Sequence, residues 1–520
     1  MRRTALASLL GLSLAATTVT ATAAQAQPTR PADPTTGAAA GPANAARSEL
    51  ARLVRLKDVR RHQLNLQRIA DANGGNRAAG LPGNEVTIKY IVNQLERAGY
   101  DPRVQKFEFD FWQEVSEPVF AETAPDPRTF APGTDYETLQ YSGAGDVTAA
   151  ATPVDPAAGG AGSGCEAADF AGFPAGNIAL IRRGGCFFSV KADNAIAAGA
   201  KAVVIYQQPG TEGPVAGTLT TPYDVPVIGP THAVGTALVE KAQAGGVTLR
   251  VKTDVLNDRR ETANVIAETG RGRDDNVVLV GAHNDSVTDG PGVNDDGSGV
   301  AALLEMAKQI RKLGPKVRNQ VRFAFWGAEE EGLIGSQHYV DTLPQDRRDD
   351  IALVLNFDML GSPNFVRFVF DGDNSAGQNN VEAPAGSGAI EHAFNEYFAA
   401  RGLRTDPTPF NGRSDYNAFI TVGIPAGGLF TGAEGLKTPE QAAVYGGTAG
   451  EPYDPCYHSE CDRYGNVNLR GYDQMVDGAA AITQKFAHST LTVNGNALAP
   501  QQARPVTKSA PEHRGHYATE

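Results

Sequence analysis

The chain has 520 residues, of which 41% are hydrophobic and 20% are charged, so it is long enough for more than one globular domain. Its 59 acidic residues outnumber 46 basic residues, which gives a formal net charge of −13. This charge argues against nucleic acid or an anionic membrane surface as a partner.

The first 26 residues have the pattern of a secretory signal peptide. Arg2 and Arg3 form a basic start, residues 5–16 are mostly apolar, and residues 24–26 (AQA) fit a small-x-small cleavage site. The arginine pair is compatible with a twin-arginine route and with the general route. No later stretch is long and apolar enough to span a bilayer, so we expect a soluble, secreted protein.

The segment after the predicted cleavage site changes from low complexity to helix. Residues 27–46 are rich in Pro, Ala, Thr and Gly, which predicts a linker or a removable pro-segment. Helical spacing of leucines follows in residues 50–69, and residues 85–98 form an amphipathic helix that Gly99 ends. Residues 104–111 alternate between apolar and polar, as in a strand.

The middle of the chain has the pattern of a small α/β unit. Residues 121–162 contain few large apolar side chains, and a β-α-β pattern follows them. The predicted elements are strand 177–181, helix 189–198, strand 202–206, strand 225–228, helix 236–244 and strand 247–251. The unit contains no cluster of His and acidic residues with metal-ligand spacing. We therefore expect a binding, gating or stabilising insert, not a second active site.

The stretch of residues 277–305, VVLVGAHNDSVTDGPGVNDDGSGVAALLE, predicts a buried strand, a loop and a helix. His283 and Asp285 follow where the strand ends. Asp295 and Asp296 lie in the glycine-rich loop before the helix. Since ligands of open α/β sheets bind outside the carboxyl ends of strands, these side chains are candidates for a metal site.

Two further strands end on carboxylates in the same way. The apolar residues 321–326 are followed by Glu329 and Glu330, and residues 351–357 are followed by Asp358. One Asp after a strand is usually a turn residue or a helix cap. Carboxylates after three successive strands, together with a histidine, favour a metal centre at this edge of the sheet.

Four cysteines fit an oxidising compartment. Three pairings are possible in principle, and their spacing favours the two local ones, Cys165–Cys186 and Cys456–Cys461. The second pair would close a small loop that contains another histidine, His458.

Seven motifs appear in a fixed order between residues 262 and 477, namely GAHNDSV, GVNDDGSG, FWGAEEEGLIGS, NFDMLGSP, GRSDYNAF, GGLFTGA and CYHSECD. In these motifs the chain resembles the secreted double-zinc aminopeptidases, the leucyl-aminopeptidase-like metallopeptidase family. The resemblance implies an α/β zinc-exopeptidase fold, with a mixed central β-sheet flanked by helices. The segment GNIALIRRGGCFFSVKADNAIAAGAKAVVIY resembles a protease-associated domain.

The resemblance also predicts the domain boundaries. The peptidase domain would consist of residues 47–117 and 257–488, interrupted by the protease-associated insert at residues 118–256. The likeness fades near His488, and the polar residues 489–520 are expected to be a disordered or processed tail.

By resemblance, five residues bind two zinc ions. Asp295 would bridge the two ions. His283 and Asp358 would complete the protein ligands of one ion, and Glu330 and His458 those of the other. This set leaves room for water and substrate.

The resemblance makes Glu329 the general base and gives the hydroxyl of Tyr457 the role of stabilising the tetrahedral oxyanion. Because three glutamates are consecutive, a register shifted by one would instead make Glu330 the base. The frame W-G-A-E-E-x-G-L-x-G-S favours Glu329 and Glu330 for these roles, and Glu331 is then expected to be a solvated surface charge.

Two acidic residues are expected to support the ligands. Asp285 fits a carboxylate that orients His283. Asp296 follows Asp295 across a peptide bond that is cis in this family, so the same conformation is expected here.

Arg413 and Phe430 each have two alternative roles. Arg413 would contact the substrate backbone, or form a structural ion pair with Asp415. Phe430 would line an apolar side-chain pocket, or belong to the core. Tyr416 stands where relatives often have His, which places the contacts of that loop in question.

The resemblance implies that the protein releases N-terminal, apolar residues from peptides and proteins with free N-termini, as a monomer. A carboxypeptidase or dipeptidase on the same metal core is an alternative, as is an inactive protein whose insert captures a peptide. Asp473 and Asp477 share a helix face that would bind calcium or carry ordinary surface charge.

Overall fold

The computed structural model of the protein describes residues 48–156 and 162–495. The predicted signal peptide, residues 1–26, and the predicted linker, residues 27–46, lie outside the described residues, as does the end of the predicted tail. Among the helices of the described ranges, none combines the length and apolar character needed to cross a membrane.

Fourteen strands of the described residues form one sheet. They are β1 (Arg103–Ala124), β2 (Arg128–Thr129), β3 (Tyr136–Thr138), β4 (Gly145–Pro153), β5 (Ile178–Arg182), β6 (Ala202–Tyr206), β7 (Val227–Pro230), β8 (Thr248–Glu268), β9 (Arg273–His283), β10 (Asn319–Trp326), β11 (Ile351–Phe357), β12 (Phe368–Phe370), β13 (Asp406–Thr408) and β14 (Ala426–Phe430). The order across the sheet is β13-β12-β14-β11-β9-β10-β8-β4-β5-β6-β7-β3, and β1 pairs with β8 and β2.

Helices of the described residues flank the sheet. They are α1 (Glu49–Leu53), α2 (Leu56–Ala72), α3 (Pro82–Arg97), α4 (Phe188–Ala197), α5 (His232–Ala244), α6 (Gly297–Ile310), α7 (Ile334–Thr342), α8 (Gln345–Asp349), α9 (Ser387–Ala399), α10 (Tyr416–Ile420), α11 (Pro439–Tyr445), α12 (Leu469–His488) and α13 (Leu491–Asn494). Two short 3-10 helices are found at Ala167–Phe170 and Arg311–Lys316.

The centre of the peptidase part is β9, which lies between β10 and β11 and is parallel to both. Val278 and Val280 pack in the largest core, which also contains side chains of α2, α3, α6, α9 and α12, whereas Leu279 packs with α7 and α10 on the other face. A parallel strand covered on both faces is apolar throughout, which explains the continuous VVLV run. Because β8 is antiparallel to β10, the sheet is mixed, as expected.

The insert continues the sheet beyond β8. Strands β4 to β7 are parallel, and β4 pairs antiparallel with β8. Leu180 faces a core that contains Leu238 of α5, and Ile181 faces a core that contains Ala192 of α4. The predicted β-α-β pattern is therefore present, with helices on both faces.

The predicted boundaries of the insert fall inside two long strands. β1 and β8 pair along their whole length, from Arg103–Ile266 to Ala124–Thr248, and run through both the 117/118 and the 256/257 positions. The sequence predicts that the strand ends at residue 111, because residues 114–117 have no alternating apolar pattern. In the structure these residues continue the strand with exposed side chains. The insert is thus joined to the peptidase part by a continuous two-stranded ribbon.

The start of the predicted tail was placed too early. Residues 491–494 form α13, and Val493 packs in the main core with 8% of its surface exposed. Asn494 Nδ2 also donates to Asn276 Oδ1 at 2.8 Å. A four-residue helix is too short for its periodicity to be recognised in the sequence, and the contact with Asn276 is distant along the chain.

Candidate active site

The five predicted metal ligands lie together at the carboxyl ends of the central strands. His283 is the last residue of β9, Asp358 follows β11, and Glu330 lies in the turn after β10. Asp295 lies in the loop before α6, and His458 is in the loop closed by the second disulfide. The rule that ligands collect at the carboxyl edge of a parallel sheet accounts for three of the five positions.

Asp295 lies between the two histidines. Its Oδ1 is 3.0 Å from His283 Nε2, and its Oδ2 is 3.3 Å from His458 Nε2. Asp358 Oδ1 is 3.7 Å from the same nitrogen of His283. Glu330 Oε2 is 3.1 Å from the same nitrogen of His458. The donors therefore form two sets that share one carboxylate.

The chemistry of these donors fits metal ions. Imidazole nitrogens and carboxylate oxygens are the ligands that zinc takes in catalytic sites. Oδ2 of Asp295 is buried and accepts no hydrogen bond from the described residues. Burial disfavours the charged form of His283, but Glu329 and then the carboxylates near the ring raise its pKa well above the ordinary value. A divalent cation would balance this excess of negative charge.

Asp285 connects His283 to the turn after β10. Its Oδ1 lies 3.7 Å from His283 Nδ1. The same carboxylate accepts the backbone N–H groups of Glu329 at 3.2 Å and Glu330 at 3.3 Å. Asp285 thus holds the acidic turn and lies near the ring of His283, beyond hydrogen-bond distance, so its role in orienting that ring stays a prediction.

Asp296 supports the loop from the other side. Its Oδ2 accepts the backbone N–H of His283 at 3.1 Å, and its Oδ1 caps α6 by accepting from Gly299 N at 2.9 Å. The peptide bond between Asp295 and Asp296 is cis, as expected.

Glu329 lies fully buried in a tightly folded turn. Ala328 and Leu333 have positive φ angles, of 52° and 61°, and the carbonyl of Glu329 accepts from the N–H groups of Gly332 and Leu333 at 2.8 Å. Oε2 of Glu329 is 3.9 Å from His283 Nε2, so its carboxylate reaches the edge of the donor set.

Glu331 is not the solvated surface charge that was expected. Only 9% of its surface is exposed, and its Oε2 accepts from Gln140 Nε2 of the insert at 3.2 Å. Burial, followed by the charges of Asp285 and Glu330, raises the pKa of Glu331 to about 8. The prediction was wrong because Gln140 lies 191 residues away in the chain, and no local sequence pattern indicates this contact.

Arg413 and Tyr457 lie together above this centre. Arg413 Nη1 pairs with Glu434 Oε1 at 2.5 Å, so its ion-pair partner is Glu434 and not Asp415. Nη2 donates to the hydroxyl of Tyr457 at 3.5 Å. The ring of Tyr457 stacks on His458 with 3.8 Å between the ring centres.

Tyr416 organises the turn that carries Arg413. Its hydroxyl accepts the N–H groups of Asn411 at 3.1 Å and Gly412 at 3.0 Å, and donates to Asn411 Oδ1 at 2.9 Å. That same Oδ1 accepts from Arg413 N at 3.1 Å. The tyrosine therefore contacts the backbone of its own loop.

Two supporting residues were missed although they lie inside recognised motifs. Ser414, in GRSD, donates from Oγ to Asp358 Oδ2 at 2.6 Å. Asp462, in CYHSECD, accepts the backbone N–H groups of Asn294 at 2.9 Å and Asp295 at 3.0 Å. Both residues hold a predicted ligand in place, and both were adjacent to residues that the motifs had singled out.

Comparison with known proteins gives the family. Residues 264–483 match Peptidase family M28, and residues 147–238 match the PA domain. The chain is 46% identical over 461 residues to an aminopeptidase of Pseudomonas aeruginosa (strain UCBPP-PA14), covering 87% of this chain and 85% of that protein. The chain belongs to peptidase family M28.

This M28 aminopeptidase has other similar relatives. Leucine aminopeptidase 2 of Trichophyton equinum is 40% identical over 423 residues, covering 81% of this chain and 82% of that protein. Among solved structures, the aminopeptidase from Aneurinibacillus sp. strain AM-1 has a TM-score of 0.66 at 27% identity, covering 83% of this chain and 94% of that chain. A zinc aminopeptidase from Bacillus subtilis has a TM-score of 0.59 at 25% identity, covering 83% and 95%. The predicted metallo-aminopeptidase, its fold and its protease-associated domain are confirmed.

A cavity of about 360 Å³ opens beside the donor set of the M28 aminopeptidase. Asp358, Arg413 and Tyr457 line it, and five of the other lining residues are aromatic. Phe430 is among them and stacks on Phe368 with ring centres 6.1 Å apart. Phe430 thus lines the cavity and also packs at the edge of the core.

Both local disulfides are confirmed, Cys165–Cys186 and Cys456–Cys461. Asp473 and Asp477 lie on α12, and within residues 48–156 and 162–495 they belong to none of the groups of potential metal ligands. Calcium at these two residues stays a prediction.

Proposed function

We propose that the protein is a secreted aminopeptidase that binds two zinc ions and releases apolar N-terminal residues from peptides and proteins. The observation that carries this proposal is the position of Asp295, with one carboxylate oxygen beside His283 and the other beside His458. Asp358 would complete one ligand set, and Glu330 the other.

The family and the donor set support zinc as the metal. Bound zinc lowers the pKa of a water molecule and polarises a substrate carbonyl. The nitrogen and oxygen donors present are those of catalytic zinc sites, and one similar structure is described as a zinc aminopeptidase.

Glu329 would move the proton. It takes a proton from the attacking water on its carboxylate and passes it to the nitrogen of the leaving amine. Its burial excludes bulk water, and the hydrogen bonds that the N–H groups of Gly332 and Leu333 donate to its carbonyl hold the turn that presents it.

Tyr457 would stabilise the oxyanion by donating its O–H. Burial, followed by the negative charge of Asp295, raises the pKa of Tyr457 well above its ordinary value. The phenol therefore keeps its proton at neutral pH and can donate it to a hydrogen bond. Arg413, held by Glu434, would contact the backbone of the substrate near the same hydroxyl.

The aromatic cavity supports a preference for apolar N-terminal residues. Its volume of about 360 Å³ is at the lower end of ligand pockets, which suits one side chain. Phe430 and Phe368 supply apolar surface, and burial of an apolar side chain there stabilises the complex by roughly 25 cal/mol per Å².

Secretion is supported by two disulfides and by the leader pattern of the first residues. We propose that the mature chain begins near Gln27 and acts as a monomer on free N-termini, without a nucleic-acid or membrane partner. N-terminal sequencing of protein from the culture medium would test the leader, and a chain that retains residues 1–26 would contradict it.

The test of function compares peptides whose N-terminus is free with peptides whose N-terminus is acetylated. Purified protein should release leucine from leucyl p-nitroanilide and from leucyl peptides, and a chelator should abolish the release. The matched N-acetyl peptides should not be cleaved. Hydrolysis of the acetylated peptides from their C-termini would favour a carboxypeptidase. Metal binding without any hydrolysis would favour the peptide-binding alternative.

A further inference from the structure

The turn that carries Glu329 and Glu330 is held from two sides. On the peptidase side, Asp285 accepts the N–H groups of both glutamates. On the other side, the next residue, Glu331, contacts the insert. Glu329 and Glu330 therefore lie between a carboxylate of the peptidase part and a surface of the insert.

Two consecutive residues of the insert make this contact. Gln140 Nε2 donates to Oε2 of Glu331 at 3.2 Å. The hydroxyl of Tyr141 lies 3.4 Å from the carbonyl of Glu331 and 3.1 Å from the carbonyl of Asp110 on β1. Tyr141 and Glu331 are both buried, so water competes little for these bonds.

The position of this pair is determined by the fold of the insert. Gln140 N donates to Gly217 O at 2.9 Å, and Gln140 O accepts from Leu219 N at 3.1 Å. Tyr141 O accepts from Tyr223 N at 2.9 Å. Tyr141 also has a φ of 68°, a conformation that a tyrosine adopts only where surrounding contacts hold it.

We propose that Gln140 and Tyr141 are positioning residues for catalysis, through which the insert holds Glu329 and Glu330 in their working geometry. The insert thereby sets the rate of hydrolysis even for substrates too small to touch it. This inference rests on the proposed function, because it assumes that Glu329 moves the proton. Displacement of a catalytic group by about 1 Å can lower a rate by roughly 100-fold, so a partial loss of this support should be measurable.

The test uses Gln140→Leu and Tyr141→Phe in the full-length, zinc-loaded enzyme. With leucyl p-nitroanilide, each variant should lower kcat by about tenfold and change KM by less than about twofold, because the support acts on the reacting groups and not on the cavity. Metal content should stay at the wild-type value. The acid limb of the pH profile of kcat/KM should shift, because the surroundings of Glu329 change.

Tyr136→Phe is the matched control. The hydroxyl of Tyr136 donates to Pro118 O at 2.7 Å inside the insert, so this variant also removes one buried hydrogen bond. It should lower stability without changing kcat or the pH profile.

Three results would overturn the inference: kcat within about twofold of wild type in both test variants, an equal loss of kcat in Tyr136→Phe, or a loss of kcat that only follows lost metal. Failure of the proposed function is a separate result. It would appear as normal turnover in Glu329→Gln, or as no hydrolysis by the wild-type enzyme.

Discussion

The three consecutive glutamates, residues 329–331, are expected to have different roles because their side chains contact different residues. Glu329 lies near His283, Glu330 lies beside His458, and Glu331 accepts a hydrogen bond from the insert. The turn between β10 and α7 points adjacent side chains in different directions. Their three roles can therefore be separated by single substitutions.

Glu329→Gln should keep both zinc ions and lose turnover, because an amide cannot accept the proton of the attacking water. Loss of a general base typically lowers a rate by roughly 10²–10⁴-fold. Glu330→Gln should instead lose one of the two ions. Metal analysis and kcat on leucyl p-nitroanilide measure both effects. If Glu330→Gln holds two ions but is inactive while Glu329→Gln turns over normally, the register is shifted by one.

Local rules indicate a candidate metal site at the strand ends, whereas the resemblance to the family supplies the full set of five predicted ligands. Asp358 follows a strand, and Asp295 lies in a glycine-rich loop before a helix. The partners of Glu331 and Arg413 could not be predicted in this way. Gln140 reaches Glu331 only through the packing of the insert, and Glu434 reaches Arg413 only after β14 is placed beside the cavity.

At the scale of elements, the loop closed by Cys456 and Cys461 carries Tyr457 and His458. Cys456 and Cys461 are five positions apart in the sequence, whereas Cys165 and Cys186 are 21 positions apart. A short closed loop restricts the unfolded chain less than a long one, so the smaller bridge contributes less to global stability. Its main effect should be to restrict the conformations of the backbone that directs His458 to the metal.

Replacing Cys456 and Cys461 by serine should therefore lower zinc affinity and kcat by about 10- to 100-fold, with a small change in melting temperature. Replacing Cys165 and Cys186 by serine should do the reverse, lowering the melting temperature of the insert. Calorimetry and zinc titration of the two double variants compare these effects. A larger loss of stability in the first variant than in the second would contradict this assignment.

Helices α2 and α6 meet at the buried side chain of Glu305. Burial raises the pKa of Glu305, but this effect is outweighed by its polar partners, which lower the pKa from 4.5 to about 2. The partners are His62 Nε2 at 3.7 Å, Lys308 Nζ at 2.9 Å and Gln309 Nε2 at 2.5 Å.

A depressed pKa stabilises the folded state above the unfolded pKa, and this contribution is lost as pH falls from about 4.5 towards 2. The shift corresponds to about 3 kcal/mol in the free energy of unfolding. Glu305→Gln should thus be clearly less stable than wild type in urea at pH 6, and the difference should shrink at pH 2.5. Glu85→Gln, on an exposed helix face, should differ from wild type by less than about 0.5 kcal/mol at both pH values. A Glu305→Gln difference that does not change with pH would contradict the role of this contact.

Strand bounds could be predicted where the sequence has a clear apolar pattern, and could not be predicted where exposed polar side chains interrupt that pattern. The predicted and observed bounds of β6 and β11 agree because β6 is apolar throughout and β11 has a single polar residue, Asn356. The ribbon of β1 and β8 was underestimated because its middle is exposed and its stability comes from pairing with the other strand.

At the scale of the whole molecule, the insert is joined to the peptidase part through the chain and also contacts the turn that carries the glutamates. The ribbon attaches it, and Gln140 and Tyr141 bring it to the catalytic turn. All five predicted ligands lie outside the insert, which on its own would suggest that small substrates are hydrolysed without the insert. The contact of the insert with Glu331 instead predicts that removal of the insert lowers kcat even for small substrates.

Excision tests this arrangement. Phe111 and Asp258 are paired across the ribbon, so residues 112–257 can be replaced by a two-residue Asn-Gly turn. The shortened protein should bind metal, because all five ligands remain, and kcat on leucyl p-nitroanilide should fall by about tenfold or more. Activity on longer peptides should fall further. A protein that binds no metal would show that the insert is required for folding, and wild-type kcat would exclude any catalytic contribution.

The most direct test of the account is anomalous diffraction at the zinc absorption edge from crystals of the zinc-loaded enzyme. The account predicts two peaks, each about 2.0–2.2 Å from one carboxylate oxygen of Asp295. One peak should also contact His283 and Asp358, and the other Glu330 and His458. A single peak, or two peaks that do not share Asp295, would contradict the two-metal centre on which the proposed function depends.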